Sequence, residues 1–301
     1  MTELIGYGIV LGSIIALGAV GLTLIYGIAR FGNFAHGDLM TVGAYLALFL
    51  TVWIFPALGL SETRLGSLSF GWPMLLSFIP IMLIVGGVAV LIDKLVYRRL
   101  RKSKVGAVML AISALAMAFV LRSLIYIGWG PDFHFYTPGL RPMLELPLGF
   151  KLRPDQIFII VTSWVMVSAL YVFLQRTKMG KALRAMADNR DLARVSGIPT
   201  ERMTTYAWII GGGMAAAAGI LLGIDSQVRP EMGWQLLLPL FAAVILGSIG
   251  NPVGALIGAM VIGITQQVST YWLLPTYKPA VAFIIMIIIL LVRPKGIFGG
   301  S

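Results

Sequence analysis

The chain has 301 residues, of which 58% are hydrophobic and 12% charged, and its mean hydropathy is +0.92. These values exclude an ordinary soluble domain, because most of the surface must face an apolar medium. The chain contains no cysteine, which excludes disulfides and thiolate metal sites. Its net charge of +11 would suggest nucleic acid for a soluble protein. In a membrane protein we expect no such partner and assign the charge to the loops.

The apolar runs predict an all-α membrane protein, a polytopic bundle of eight or nine transmembrane or half-spanning helices. A helix needs about 20 apolar residues to cross a bilayer, and it pairs its backbone groups internally. The first run lacks a basic n-region and a small-residue cleavage site, so we expect a helix that stays in the membrane and not a signal peptide. The predicted segments are 4–29, 34–58, 71–92, 105–128, 154–175, 204–224, 235–249, 251–272 and 278–292. Whether 235–249 crosses or only enters the membrane is left open.

The turn FGNFAHGD (31–38) places polar groups between the first two apolar runs. Three roles are open for Asn33, His36 and Asp38. Asn33 and Asp38 suit the capping of a helix start, where backbone amides lack partners. The three side chains would also suit the lining of a translocation pathway or gate. His36 and Asp38 would suit a proton relay, since ionisable groups inside membranes often serve that purpose.

Charge divides the loops into two sets. The basic set holds sixteen of the 23 Lys and Arg residues: Arg30, Lys94, Arg98, Arg99, Arg101, Lys102, Lys104, Arg176, Lys178, Lys181, Arg184, Arg190, Arg194, Arg202, Arg293 and Lys295. The other set has Arg64, Arg122, Arg141, Lys151, Arg153, Arg229 and Lys278, diluted by acidic residues that include Glu62. The positive-inside rule makes the basic set cytoplasmic, which puts the N-terminus outside and the C-terminus inside. This alternation requires two elements within 235–272.

The segment 176–203 is the longest polar stretch on the predicted cytoplasmic side. Met179, Leu183 and Met186 fall on one face of a helix, and we expect Gly197 and Pro199 to end it. The apolar face would fill a groove of another protein, or it would lie on anionic lipid headgroups. The residues alone leave both open.

The last third of the chain adds further pathway candidates. Gly250 and Asn251 lie in the Gly- and Pro-rich break LGSIGNPVGA (246–255), and Gln266 and Gln267 interrupt an apolar run, where interhelical hydrogen bonding is the alternative role. The stretches 22–47 and 238–263 share one plan, an apolar run, a Gly-Asn break and a second run rich in small residues. We expect an internal repeat with broken helices, which is typical of translocation pathways.

Four motifs resemble the LivH-type permeases of branched-chain amino acid ABC importers. They are NFAHGDLMTVGAYLA (33–47), RTKMGKALRAMADNRDLARVSGI (176–198), LGSIGNPVGALIGA (246–259) and RPKGIFG (293–299). The likeness runs over essentially the whole chain, in order and with matching spacing. It implies one transmembrane permease domain, 1–301, with a cytoplasmic coupling helix inside 176–203.

The resemblance also implies partners. These are a second homologous permease in a heterodimer, two ATP-binding subunits that hold ATP and Mg, a periplasmic substrate-binding protein and membrane lipid, in a bacterial inner membrane. The coupling residues would be Met179, Leu183, Arg184, Met186, Asp188, Arg190 and Gly197. The three apolar ones would fill the ATPase groove, while Arg184 and Arg190 would pair with acidic residues there. The general ABC permease signature has Glu-Ala-Ala before its glycine, whereas AMAD (185–188) stands here.

The predicted function is therefore a transport subunit, not an enzyme, that passes branched-chain or similar hydrophobic amino acids inward. The chain has no GxxxxGK[ST] phosphate loop, so ATP hydrolysis belongs to partner subunits and this chain itself binds no cofactor. Alternatives are a permease of the same family for urea, amides or aromatic acids, and a stand-alone ion-coupled transporter. An intramembrane enzyme is disfavoured, because two histidines leave little from which to build a catalytic pair.

Overall fold

The computed structural model describes residues 1–60, 64–137, 143–146, 150–293 and 296–299. Glu62, Arg141 and Lys295, which enter the charge count, lie outside the described residues. The helices are α1 Thr2–Ala29, α2 His36–Ala57, α3 Trp72–Lys102, α4 Ala107–Trp129, α5 Pro154–Arg176, α6 Lys178–Asp188, α7 Arg190–Val195, α8 Thr200–Asp225, α9 Met232–Gly247, α10 Pro252–Ser269 and α11 Lys278–Val292. Two short strands, β1 Leu144–Leu146 and β2 Phe150–Leu152, pair antiparallel ahead of α5.

Within the described residues, eight helices are long and apolar enough to cross a membrane. They are α1 to α5, α8, α10, and α11 together with the turn before it. Helix α9 has 16 residues and therefore spans about 24 Å, which is less than the roughly 30 Å of a hydrocarbon core. The predicted all-α bundle of eight or nine elements is confirmed, with α9 as the short element.

Helix α1 lies at the centre of the bundle, in contact with α8 and α10. Glycines allow the close approach. A Cβ at Gly8 would lie 2.7 Å from the backbone of Ile264, and one at Gly21 would lie 2.8 Å from the carbonyl oxygen of Gly211. Helices α4, α5 and α11 lie at the periphery and expose most of their apolar side chains. Small residues thus allow the closest helix contacts of the interior, while the peripheral helices expose large apolar side chains.

The region 235–272 consists of two helices, as the charge alternation predicted. Helix α9 ends at Gly247 and α10 begins at Pro252. Between them Ser248 and Gly250 adopt left-handed backbone angles, with φ of 80° and 87°. Proline at the first helical position and glycine in a left-handed turn explain why the chain reverses here.

The segment 176–203 forms two short helices and not one. Thr177 caps α6, and the chain breaks at Asn189, whose Oδ1 accepts hydrogen bonds from the backbone amides of Asp191 and Leu192. An Asn that caps a new helix start ends the preceding one. Gly197, with φ of 84°, ends α7 as predicted.

Candidate functional site

The turn between α1 and α2 leads the chain back into the bundle. Helix α1 ends at Ala29, and Arg30 adopts a left-handed conformation. Six residues after Arg30, Nε2 of His36 donates a hydrogen bond to the carbonyl oxygen of Gly18 at 2.9 Å. Gly18 lies eleven residues before the end of α1, about 16 Å along the axis. Helix α2 therefore begins inside the bundle and not at its surface.

Asn33 holds this turn in place. Its Oδ1 accepts hydrogen bonds from the backbone amide of Ala35 at 3.2 Å and from the hydroxyl of Tyr97 at 3.4 Å. Its Nδ2 is buried, as is Nδ1 of His36, and neither atom has a hydrogen-bond partner among the described residues. The turn thus keeps one free donor and one free acceptor in the interior.

Asp38 does not cap α2, contrary to the capping hypothesis. Its carboxylate accepts two hydrogen bonds from Arg122 of α4, from Nε at 2.9 Å and from Nη2 at 3.1 Å. Asp38 is fully buried, and the guanidinium carbon of Arg122 lies 4.5 Å from the ring centroid of Trp234. Arg122, which the charge pattern groups with the less basic loops as a residue near a helix end, lies within α4, seven residues before Trp129. A buried carboxylate requires a paired cation, and α4 brings one to this position.

The described residues show no hydrogen bond that would support a proton relay between His36 and Asp38. His36 bonds to α1, Asp38 bonds to α4, and no hydrogen bond within the described residues joins the two side chains. A sequence signal for the actual pair existed. Arg122 and Asp38 are opposite charges in two apolar runs, and such charges in membranes usually pair with one another.

Helix α9 completes this junction. The backbone amide of Gly233 donates to Oγ1 of Thr41 at 3.1 Å, and a Cβ at Gly233 would overlap the carbonyl group of Gly37. The starts of α2 and α9 therefore meet backbone to backbone. This contact carries Trp234 to its position over Arg122.

The Gly- and Pro-rich break LGSIGNPVGA (246–255), which is the second break of the chain after the turn at 31–38, lies against the end of α1. The backbone amide of Gly250 donates to Oγ1 of Thr23 at 2.8 Å. Oδ1 of Asn251 accepts hydrogen bonds from the amides of Val253 and Gly254, each at 3.1 Å, and so caps α10. Asn33 and Asn251, at corresponding places in the two similar stretches, thus both bind backbone amides just after a break. The internal repeat itself stays a prediction.

Helix α6 packs on the bundle with the face that was expected to dock. Leu183 and Met186 are each only 1% exposed, and Met179 is half-buried. The expectation that Leu183 and Met186 fill the groove of a partner is wrong in this conformation, because the interior of this chain already covers their side chains. The hydrophobic face was correctly placed on one side of the helix, but the surface that covers it is the protein's own.

Two other predicted coupling residues tie α6 to neighbouring helices. Nε of Arg184 donates to the carbonyl oxygen of Leu174 at 3.1 Å, and the carbonyl oxygen of Asp188 accepts a hydrogen bond from Nη2 of Arg30 at 3.2 Å. Helix α6 is therefore attached to the ends of α1 and α5, where basic side chains satisfy terminal carbonyl groups.

The exposed apolar residues of this segment lie on α7, which sequence reasoning missed. Leu192 is 61% exposed and Val195 is 81% exposed. A signal was present in Asn189, whose preference for helix caps indicates a second helix start. Leu192 and Val195 of α7 are thus exposed, whereas Ala193 of the same helix is buried, as are Leu183 and Met186 of α6.

The predicted coupling segment and the second break meet in one cleft. A cavity of about 380 Å³ is lined by Asp188 of α6, by Gly250 and Asn251 of the break, and by Tyr26, Gly27 and Arg30 of the α1 end. Helix α6, the break and the end of the central helix therefore border one cleft. Sequence reasoning had named both groups without connecting them.

The remaining candidates lie apart from this cleft. Nε2 of Gln266 donates to the carbonyl oxygen of Lys278 at 2.8 Å, so it links α10 to α11. Oε1 of Gln267 is buried without a hydrogen-bond partner among the described residues. Both lie near the far end of α10 from the break, and the interhelical role holds for Gln266.

Arg190, another predicted coupling residue, forms an ion pair within the chain. Its Nη2 lies 3.3 Å from Oε1 of Glu201. Burial, together with the nearby guanidinium of Arg101, lowers the pKa of Arg190 below its usual range. The predicted pairing of Arg190 with a partner's acid would have to break this internal ion pair.

Comparison with known proteins identifies the family. The family described as branched-chain amino acid transport system / permease component matches residues 4–290. The chain is 31% identical over 317 aligned residues to LivH of Escherichia coli (strain K12), a high-affinity branched-chain amino acid transport system permease protein, with 97% of this chain and 93% of LivH covered. It is 29% identical to BraD of Pseudomonas aeruginosa, a permease protein with the same description, with 97% and 94% covered.

A solved structure shares the fold. PsaBC from Streptococcus pneumoniae, in complex with Fab, matches with a TM-score of 0.50 at 16% identity and covers 99% of this chain and 92% of that chain. At this identity the likeness concerns the fold alone.

Proposed function

The chain belongs to the family of permease components of branched-chain amino acid transport systems, and we propose that it is the membrane-spanning permease of an ABC importer for branched-chain or similar hydrophobic amino acids. It is a multi-pass membrane protein. The observation that carries the proposal is the family match, which extends over residues 4–290 and so over nearly every helix.

Energy would come from partner subunits. The chain has no GxxxxGK[ST] loop, so ATP and Mg would bind to two ATP-binding subunits. A second homologous permease would complete the membrane unit, and a periplasmic binding protein would deliver the substrate. The alternatives remain a permease for urea, amides or aromatic acids, and an ion-coupled transporter that works alone.

The end of the bundle that carries α6 and α7 would face the cytoplasm. Arg30, Arg98, Arg101, Arg190 and Arg194 come together at this end around one cavity. Basic loops are retained on the cytoplasmic side. Under this orientation the N-terminus lies outside the cell and α11 ends inside.

Coupling would pass through α7 and α6 to the second break. Leu192 and Val195 offer exposed apolar side chains on a basic segment, which suits a groove with acidic edges on an ATP-binding subunit. Movement of α7 would shift α6, because only Asn189 separates the two helices. Asp188, Gly250 and Asn251 line one cavity, so the shift would reach the break that begins α10.

The interior turn would be the gate. It places His36 beside Gly18 in the middle of α1, and the buried Nδ2 of Asn33 and Nδ1 of His36 are free to bind water or a passing substrate. A permease must not hold its cargo tightly, and a few neutral polar groups meet that requirement. The Asp38–Arg122 pair would anchor the start of α2 while the turn moves.

The test is affinity purification of the full chain from its native membrane in mild detergent. We expect two ATP-binding subunits and a second permease to co-purify, and we expect ATPase activity that rises with a binding protein loaded with leucine, isoleucine or valine. Stimulation only by a binding protein loaded with urea, an amide or an aromatic acid would overturn the substrate class. A lone chain that moves solute under an ion gradient in proteoliposomes would overturn the importer.

A further inference from the structure

A second cavity at the basic end of the molecule holds an excess of positive charge. It has a volume of about 480 Å³, and we call it the basic cleft. Six basic side chains and one carboxylate, that of Glu201, line it. The basic ones are Arg30, Arg98, Arg101, Lys102, Arg190 and Arg194.

Ion pairs within the chain neutralise only part of this charge. Nε of Arg98 lies 2.8 Å from Oε2 of Glu201, which also pairs with Arg190, and Nη1 of Arg101 lies 2.7 Å from Oδ1 of Asp93. Nη2 of Arg101 and Nε of Arg190 are buried without hydrogen-bond partners among the described residues. Buried guanidinium donors and crowded like charges favour the binding of an anion.

The position of the cleft favours an anion attached to a lipid. It lies where α1 and α3 end and where α4 begins, and these three helices are long and apolar enough to cross a membrane. Helix ends of this kind lie at the level of the lipid headgroups. One wall of the cleft is apolar and consists of Val105, Ala107 and Leu110. Beyond it, Val108 and Met109 of α4 are exposed, so an acyl chain could continue along that helix.

We propose that the basic cleft binds the phosphate group of an anionic phospholipid, with the arginines around the phosphate and the acyl chains along the first turns of α4. Arginine suits this task because its planar group donates two parallel hydrogen bonds to phosphate oxygens. Basic pockets between membrane helices on the cytoplasmic side commonly take such headgroups. The proposal rests on the cytoplasmic orientation proposed above, and it does not depend on the transported substrate.

The test measures lipid binding to the full chain with its co-purifying partners in neutral detergent. Native mass spectrometry gives the affinity for phosphatidylglycerol, with phosphatidylcholine as the neutral lipid and inorganic phosphate as the free anion. The test variant is Lys102→Gln/Arg194→Gln, because both side chains are exposed at the cleft and neither is in an ion pair among the described residues. The matched control is Lys94→Gln/Arg99→Gln, which removes the same charge from exposed positions of α3 outside the cleft.

We expect phosphatidylglycerol to bind the test variant at least about tenfold more weakly than the unmodified chain, since each basic residue near the headgroup contributes to its binding. The control should stay within about twofold. Arg101→Lys keeps the charge opposite Asp93 but loses the planar group, so it should also weaken binding. This variant tests whether lipid binding needs the planar guanidinium group, while Asp93 keeps a positively charged partner.

Several results would overturn the proposal. Equal weakening in the control would show attraction to charge at any position, and unchanged binding in the test variant would exclude the cleft. Displacement of the lipid by an equal concentration of inorganic phosphate would make free phosphate the ligand. Loss of the co-purifying subunits with unchanged lipid affinity would make the cleft a docking surface for an acidic protein.

Discussion

The Asp38–Arg122 pair and the basic cleft both concentrate charge, but they balance it in different ways. In the pair one carboxylate meets one guanidinium through two hydrogen bonds, both within candidate membrane spans. In the cleft six basic side chains face one lining carboxylate, that of Glu201. The hydrocarbon interior supplies no counter-charge, so the chain must carry both partners there. At the membrane boundary, water, lipid or another protein can supply the missing charge.

The largest expected effect comes from breaking the interior pair. Arg122→Met leaves the carboxylate of Asp38 buried and unpaired, which should cost about 3–5 kcal/mol of stability. Adding Asp38→Leu should restore much of that loss, because an apolar pair can replace a buried ion pair. Thermal unfolding in detergent, monitored by size-exclusion chromatography, measures the stability of the single and of the double variant. An Arg122→Met chain that is as stable as the unmodified chain would contradict the role of the pair in stabilising the fold.

The next largest effect on stability distinguishes the buried from the exposed apolar residues of α6 and α7. Leu183→Ala should destabilise the chain by about 2–5 kcal/mol, because it opens a cavity in the interior. Val195→Ala should change stability by less than about 0.5 kcal/mol, yet it should lower the amount of ATP-binding subunit that co-purifies. The same unfolding assay and a pull-down distinguish the two. A Leu183→Ala chain that is stable but uncoupled would return the docking role to α6.

A smaller loss is expected from an arginine in the cleft. Arg101→Met removes the partner of Asp93, whose carboxylate is 5% exposed while the Arg101 side chain is 14% exposed. We expect a loss of about 1.5–3 kcal/mol, the usual range for a hydrogen bond to a charged group. This loss should be smaller than that of Arg122→Met, because neighbouring arginines of the cleft can approach Asp93. A loss equal to that of Arg122→Met would remove the distinction between the two regions.

The smallest loss concerns the second break. Asn251→Ala removes the side-chain cap from the amides of Val253 and Gly254 and should cost about 1 kcal/mol. Asn251→Asp, which keeps an oxygen at that position, should cost less. Transport assays of the two variants show whether the break also moves. Equal transport by Asn251→Ala and the unmodified chain would limit Asn251 to helix capping.

Much of the fold followed from local patterns. The nine predicted segments correspond to nine of the helices of the described chain, and both predicted breaks are present. Long apolar runs form helices in a membrane because the backbone must satisfy its own hydrogen bonds, and Gly, Asn and Pro end them for reasons of backbone geometry. The division of 176–203 at Asn189 was missed, although the cap was visible in the sequence.

Contacts between residues that are distant in sequence could not be predicted from such local patterns. Asp38 looked like a helix cap because its neighbours in sequence suggested one, while its partner Arg122 lies 84 residues away. The apolar face of α6 was correctly identified, but periodicity does not tell which protein covers that face.

The amino-acid sequence was sufficient for the membrane class, the positions of the helices, the broken pairs and the family. The first three depend on hydrophobicity and on backbone preferences within a few residues, whereas the family followed from the resemblance of four motifs. Only the packed structure decided that α2 begins beside the middle of α1, that Leu183 faces inward while Val195 faces outward, and that six basic side chains surround one cavity. These properties depend on how helices that are distant in sequence approach one another, and small residues along α1, α8, α9 and α10 set those distances through close backbone contact.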